Sequence, residues 1–509
     1  MSSLGRISFP TFLEPQISQA SDGEHGGPAP CYSIPFPRNE GVIHRTTISN
    51  RLAALLPPSR EYHNAALWGL GGSGKTQIAL DYAYRRCYDD PACSVFWVHA
   101  DSETSFTQNY KSIARKLGLP ESLSGKDLLM NVRAGIEGNR CWLLVIDNAD
   151  NLQLFGVRNV LRIKDQDQAE DTALNLSEFI PRGPVGTVLW ISRDKEIGSI
   201  VGARRAIEVT RMVEDEALEL LKTVGDIGND ELDGAPELLA ELGCFPLALS
   251  QAATFRRKMS ITIREYLSRL ANRRKRWNVL QTSAHDPYRR QGLTNSILKT
   301  WDTSVEQIRQ ENEVVFDILH ILAFLDNQNI SFEILHQAVT RRNKWIRDDG
   351  EKDKNDSEDE YDKEGSSEDD SDGEVEEEAL WVAARLQQLS FLQPRASKDS
   401  RTYEMNKLVQ EAVLYALTDK DRRKDQVRYS RLALWVVADL LPNNGPGYWE
   451  GWASLPATYR GQRKYKETTK INTQGLALQR DILGERDSET MQNIDTRRDI
   501  LWAGDSTMR

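Results

Sequence analysis

The sequence holds little that would place the chain in a membrane or in an oxidising compartment. No apolar run in its 509 residues approaches the ~20 residues a membrane helix needs, and its N-terminus lacks a basic-then-apolar leader. Cysteines are few, namely Cys31, Cys87, Cys93, Cys141 and Cys244. Their odd number and the lack of any C-x-x-C pairing give neither a disulfide framework nor a zinc site. The chain is therefore expected to be soluble and cytoplasmic. Basic charge is also scarce, with a formal net charge of −11. Residues 348–378 account for that excess, with 18 acidic side chains against three lysines, and the remainder is nearly balanced. A nucleic-acid partner is disfavoured, because no basic signature emerges. No repeated period runs through the chain, although Tyr465–Ile500 is patterned like one helix–turn–helix repeat unit.

The most informative stretch present is Ala65-Ala-Leu-Trp-Gly-Leu-Gly-Gly-Ser-Gly-Lys-Thr-Gln-Ile-Ala-Leu-Asp81. It contains Gly69-x4-Gly74-Lys75-Thr76, a complete phosphate-binding loop with an apolar strand before it and a helical pattern after it. Gly69, Gly71, Gly72 and Gly74 free the backbone to wrap its N–H groups around phosphate oxygens at a helix N-terminus. Lys75 brings a positive charge to the β- and γ-phosphates, and Thr76 a hydroxyl ligand for Mg²⁺. Ser73 and Gln77 complete the nucleotide-binding candidates along this stretch.

Around the loop, strand and helix alternate. Candidate strands are Ala65–Leu70, Ser94–Ala100, Cys141–Ile146, Thr187–Ser192 and Arg205–Val209, with helical stretches such as Ser105–Leu117 and Asp127–Ile136 between them. That alternation predicts a parallel sheet with helices on both faces. After Arg211 the pattern is almost entirely helical, with Glu214–Leu221, Pro236–Leu242 and Phe245–Arg256 carrying apolar residues at helical steps. The acidic stretch has too little apolar surface to offset its ordering entropy, and is expected to be a loop. Trp381–Leu392 and Tyr403–Leu417 resume the folded pattern, and Tyr429–Leu441 is a tryptophan-bearing helix.

Three further motifs follow the loop in order. Cys141–Asp147 is an apolar strand ending in a carboxylate, which suits Asp147 to hold Mg²⁺ through its water shell. Gly186–Arg193 is a strand ending in an arginine, and it should lie beside the previous strand in the sheet. The Arg193 guanidinium can then read a γ-phosphate through paired donors. Gly243-Cys-Phe-Pro246-Leu-Ala sets a tight turn before a helix whose first turn tolerates proline.

The order of these four motifs resembles the NB-ARC family of signal-transducing P-loop ATPases, the NLR-like STAND class of molecular switches. The phrase around the loop is similar to the fungal branch that ends in tetratricopeptide repeats. The resemblance implies ADP or ATP and Mg²⁺ as ligands, with Arg45 and Pro246 contacting the nucleotide. Val42-Ile-His-Arg45 stands where the family has a Val-Gly-Arg element, with His44 in place of the glycine. Met405-Asn406-Lys407 stands where it has Met-His-Asp, or Met-His and a basic residue in fungal members. The family's histidine touches the ADP phosphate; Asn406 donates a hydrogen bond but cannot become cationic. The usual Asp-Asp strand end is Asp147-Asn148, with Asp150 two residues on. An amide is no general base, so either Asp150 joins Asp147 as a catalytic residue or hydrolysis is slow.

Composition and pattern, together with the resemblance over roughly residues 41–418, divide the chain as follows. Residues 1–40 are a disordered tail, 41–210 the nucleotide-binding domain and 211–293 a helical ARC-type domain. Residues 294–418 are a winged-helix-like domain interrupted by the disordered acidic insert 348–378. Residues 419–509 are a helical, TPR-like segment, a single or truncated repeat whose Leu483-Gly484-x5-Thr490 is similar to a tetratricopeptide inter-helix turn. The implied function is a switch, closed with ADP and opening or oligomerising with ATP, that meets protein partners through its C-terminal helices. Two other classes stay open. One is a P-loop ATPase or kinase in constant turnover. The other is a winged-helix DNA-binding regulator using Arg341-Arg342-x-Lys344 and Arg422-Arg423-Lys424.

Overall fold

The computed structural model describes residues 29–157, 174–228, 231–272, 280, 296–352, 368–395, 401–418 and 422–440. Strands β1 (Tyr32–Ser33), β2 (Tyr62–Trp68), β3 (Ser94–His99), β4 (Trp142–Asp147), β5 (Gly186–Ser192) and β6 (Ala206–Glu208) form one sheet in the order β1-β3-β4-β5-β2-β6. Every neighbouring pair is parallel. The strands are apolar on both faces, as a sheet covered by helices requires. Alternate residues face opposite ways: Ala65 and Leu67 join a core under α1 (Thr46–Leu55) and α2 (Lys75–Asp89). Ala66 and Trp68 join another under α3 (Glu103–Lys116) and α4 (Gly125–Glu137). Register aligns Trp68 with Ser192 and His99 with Asp147, so the loops after β2, β3, β4 and β5 leave from one edge. That edge is where open parallel sheets build their sites.

Beyond a short helix α5 (Gly198–Val201) the chain becomes helical, through α6 (Glu214–Gly225), α7 (Ala235–Glu241), α8 (Pro246–Met259) and α9 (Ile263–Ala271). Then come α10 (Ile297–Glu311), α11 (Glu313–Ala323), β7 (Ile330–Ser331), α12 (Phe332–Lys352), α13 (Glu368–Gln388), β8 (Leu392–Pro394), β9 (Thr402–Met405), α14 (Lys407–Ala416) and α15 (Arg423–Leu440). Polar caps set several of these starts. Thr262 and Glu265 form a capping box on α9, Asn312 caps α11 and Asn406 caps α14. Strands β7, β9 and β8 form a small antiparallel sheet in that order. One apolar core runs from α6 through α15.

Three boundaries differ from those expected. Residues 29–40 are ordered rather than part of a tail: β1 pairs with β3, and buried Phe36 meets Trp97 edge-on at 6.2 Å. Both are contacts across the sheet edge, which a proline-rich local pattern conceals. The ends of the acidic stretch are helical, since α12 runs to Lys352 and α13 starts at Glu368. The central acidic residues 353–367 and the segment 441–509, including the TPR-like unit, lie outside the described residues, as do residues 1–28. Finally, α15 does not start a separate domain at 419. Its Tyr429, Leu432, Ala433 and Val436 share the core of α11 and α12.

That core holds a titratable group. His320 on α11 is fully buried, its Nδ1 donates to the Phe316 carbonyl at 2.7 Å, and its ring stacks on Tyr429. Burial lowers its pKa to about 4, while the Phe316 carbonyl and Asp317 raise it and Arg422 and Arg309 lower it. An unfolded imidazole titrates near 6.5. Between those values the unfolded chain binds the extra proton, so stability is lost as pH falls through this window. At pH 5 the cost is about 2 kcal/mol. His320→Phe, which keeps the ring stack, should therefore lose less melting temperature between pH 7 and pH 5 than the wild type. Parallel losses would place the acid sensitivity elsewhere.

Candidate nucleotide-binding site

The loop between β2 and α2 has the conformation its glycines permit. Gly69, Gly72 and Gly74 all have positive φ, and Gly74 at +96° leads directly into Lys75, the first residue of α2. Close approach constrains Gly69 and also Gly71, whose φ is not positive. A Cβ at Gly69 would stand 2.6 Å from the Val209 carbonyl, and one at Gly71 would stand 2.7 Å from the Thr300 methyl. The Lys75 ammonium donates to the carbonyls of Gly69 at 2.7 Å and Leu70 at 3.0 Å. Ser73 Oγ is fully buried and has no hydrogen-bond partner among the described residues. A buried charge, an orphaned hydroxyl and a helix N-terminus together fit a phosphate.

Thr76 and Asp147 meet as the sequence suggests, with Thr76 Oγ1 donating to Asp147 Oδ1 at 3.3 Å. Asp147 is buried, and its carboxyl is pushed up to about 6 by burial and by Asp150, against the pull of Thr76, Lys75 and the Asn148 amide. His99 Nδ1 lies 3.7 Å from the other carboxylate oxygen. The hydroxyl and carboxylate are the hard oxygen donors Mg²⁺ takes. A bound Mg²⁺ would supply positive charge between phosphate oxygens and these two side chains.

The next strand end is arranged differently from a free sensor. As expected, β5 lies beside β4. Asp150 accepts from the Arg193 amide at 2.6 Å and pairs with its guanidinium at 3.3 Å. The same guanidinium donates to the Thr300 carbonyl at 3.0 Å and to Ser304 Oγ at 2.5 Å on α10. Asn148 has φ +58°, and its backbone N–H donates to Asp147.

The remaining candidates lie around the loop, Arg45 and Gln77 from the nucleotide domain and Pro246 and Asn406 from the helical part. Arg45 is buried, pairs with Glu216 at 3.1 Å, and donates to the Thr210, Arg211 and Ser73 carbonyls. Gln77 accepts from Asn39 at 2.8 Å. Pro246 opens α8 against Gly74, and a Cβ at Gly243 would stand 3.0 Å from Asn406. Asn406 lines a cleft with Leu70, Arg211 and Phe245, next to the loop, while its side-chain oxygen accepts from the Leu408 amide.

Two residues cover the loop, Leu247 from the fourth motif and Trp301, which no local pattern singled out. Trp301 on α10 donates its indole N–H to the Gly71 carbonyl at 2.9 Å, and Leu247 on α8 donates its amide to the Gly72 carbonyl at 3.3 Å. Further out, buried Arg385 on α13 bridges Asp194 at 2.7 Å and Glu311 at 2.5 Å. In sequence, Trp301 and Arg385 read as an ordinary amphipathic core residue and a helix-end charge. Their significance comes from what they meet.

Sheet, loop and carboxylate together make this a P-loop nucleotide-binding protein. A family model for the AAA domain matches residues 60–178. A curated protein of Hyaloscypha variabilis, described as a nucleotide-binding leucine-rich repeat (NLR)-like protein, is 29% identical over 311 residues. That match covers 59% of this chain and spans 31% of the relative's length. A solved structure of Cdc6p from Pyrobaculum aerophilum aligns with a TM-score of 0.34 and 14% identity, covering 75% of this chain and 97% of that one. With the loop geometry, the AAA-domain match marks a P-loop nucleotide-binding domain over residues 60–178, and the chain is similar to an NLR-like protein over about a third of that relative's length. No helix among the described residues is long and apolar enough to cross a membrane.

Proposed function

We propose that the chain is a cytoplasmic nucleotide-dependent switch of the STAND class, in its closed arrangement here. The observation that carries this is the seating of α10 on the P-loop: Trp301 holds the Gly71 carbonyl while Thr300 and Ser304 hold Arg193. An arginine able to meet a γ-phosphate is thus engaged by the element that covers the loop. ADP leaves these contacts in place, whereas the γ-phosphate of ATP competes for Arg193 and shifts the balance toward an open form that oligomerises. A ligand moves such an equilibrium only by this difference in contacts. The order α11-β7-α12-α13-β8-β9, with β9 between β7 and β8, supports a winged helix as the closing domain.

Arg45, Pro246 and Asn406 would contact the nucleotide, and Thr76 and Asp147 are the residues that would hold Mg²⁺. ATP hydrolysis is slow, because Asn148 cannot act as a base and Asp150 is committed to Arg193. Rapid steady turnover by the isolated chain would favour a plain ATPase or kinase instead. The DNA-binding alternative loses ground, since Arg341 pairs with Asp439 and buried Arg342 with Asp317.

The test is nucleotide release. Trp301→Phe keeps most of the ring volume but leaves the Gly71 carbonyl unpaired, a loss of roughly 1–3 kcal/mol, or about 5–100-fold. ADP should dissociate faster from the variant by a factor in that range, and ATP should raise its mass in light scattering. Release and mass both unchanged would count against α10 as the cover.

A further inference from the structure

At the opposite edge of the sheet, two cysteines stand side by side. Cys93 and Cys141 immediately precede Ser94 and Trp142, the first paired residues of β3 and β4, and the Ser94 amide donates to the Cys141 carbonyl at 3.0 Å. Parallel neighbours lie about 4.8 Å apart, inside the roughly 4.4–6.8 Å between Cα atoms that a disulfide spans. The two sulfurs lie within 4.8 Å of each other, and both thiols are free.

Their surroundings are electropositive on one side. Arg86, in the last turn of α2, is only 6% exposed, brings Nη2 to 3.8 Å from Cys141 Sγ, and has no hydrogen-bond partner at Nε among the described residues. Cys141 is held below the ordinary thiol range, chiefly by the hydrogen bond from Cys93 and then by Arg86, against burial and Asp90. The same shared hydrogen bond and burial raise Cys93. Tyr82 also faces this cluster, with its hydroxyl pushed up to about 12 by burial. Cys141 is half-buried and Cys93 fully buried, so a small oxidant meets Cys141 first. Thiolate character combined with access is what makes a cysteine reactive.

We infer that Cys93 and Cys141 form a peroxide-responsive thiol pair, with Cys141 attacking and Cys93 resolving. The Cys141 thiolate attacks one oxygen of hydrogen peroxide, the O–O bond breaks, and the departing hydroxide takes a solvent proton. Cys141 is left as a sulfenic acid. The Cys93 sulfur then attacks the Cys141 sulfur, an S–S bond replaces the S–O bond, and the second hydroxide leaves with the Cys93 proton. The two thiols lose two electrons and the peroxide becomes two waters. Arg86 links the pair to the phosphate-binding loop, because it belongs to the helix that begins at Lys75.

The experiment treats the reduced full chain with stoichiometric hydrogen peroxide, followed by thiol counting and unreduced peptide mapping. Free thiols should fall from five to three, with one linked peptide joining Cys93 to Cys141. In Cys93→Ser, Cys141 should be trapped as a dimedone adduct. Arg86→Gln should slow peroxide consumption at pH 7 by roughly tenfold, as the thiolate fraction falls toward that of an ordinary thiol, and Arg86→Lys should recover part of the rate. Should Arg86→Gln fail to fold, alkylation of Cys141 in the wild type reads the same quantity, with a midpoint below about pH 8.5. Oxidation confined to Cys31, Cys87 or Cys244 would overturn the proposal. So would a stoichiometric metal ion released on blocking Cys93 and Cys141, which would make the cluster a metal site.

Discussion

Lys75→Ala is expected to lower ADP affinity by roughly 10²–10³-fold. The ammonium is buried and already faces inward, donating to Gly69 and Leu70 at the rim of the loop. A bound phosphate would exchange those neutral acceptors for a charged one. A charge-assisted hydrogen bond contributes about 1.5–3 kcal/mol. Two unit charges 4 Å apart at an effective dielectric of 20 attract by about 4 kcal/mol. Taken together and discounted for the two carbonyl bonds given up, about 3–4 kcal/mol is lost with the side chain, at 1.4 kcal/mol per tenfold. The loop carbonyls lose a donor in the variant too, so a modest drop in the melting temperature of the nucleotide-free chain should accompany the loss. Titration calorimetry with ADP separates the two effects, and Lys75→Arg should fall between wild type and alanine because its fork presents charge in a different shape. Undiminished affinity in Lys75→Ala would remove the loop from the site.

The second large effect lies away from the loop. Arg385 is 4% exposed and Asp194 3%, and this buried pair meets the half-buried Glu311 in one triad joining the sheet to α10 and α13. Burial pushes the Asp194 carboxyl up and Arg385 pulls it back. Removing one partner of a buried pair leaves an uncompensated charge and typically costs 3–5 kcal/mol. Arg385→Leu should therefore loosen α10 and α13 from the sheet, seen as faster ADP release and easier proteolysis between them. In a double-mutant cycle with Asp194→Asn, the coupling should exceed about 1 kcal/mol, since residues in one ion-pair network do not add. Additive losses would show that Arg385 acts through general packing alone. Because Asp194 directly follows Arg193, this triad and the α10 contacts should weaken together.

Much of the nucleotide domain was legible in the chain itself. Ala65–Trp68, the glycine loop and the helix after it are contiguous, and each residue's task is set by neighbours a few positions away. The same holds for Asp147 at the end of an apolar strand and for the strand leading to Arg193, whose place beside β4 followed from alternation of strand and helix. Even there, boundaries moved by a residue or more: β2 begins at Tyr62 and ends at Trp68, because pairing with β5 rather than local apolarity fixes its length. Residues 29–40 read as tail because β1 is held by pairing with β3 and Phe36 is buried against Trp97, partners distant in sequence.

Tertiary structure alone decided what surrounds the loop. Trp301 meets Gly71 across 230 positions and Arg385 meets Asp194 across 191, separations at which periodicity carries no information about partners. Asp150 illustrates the same limit at short range. Its position suggested a substitute base, but the chain's path after β5 brings Arg193 against it and turns it into an ion-pair partner. Sequence determines which groups can bind a phosphate, because that chemistry is local. Which groups cover the phosphate site is set by packing between distant helices, where burial and charge pairing are satisfied only once the whole chain has folded.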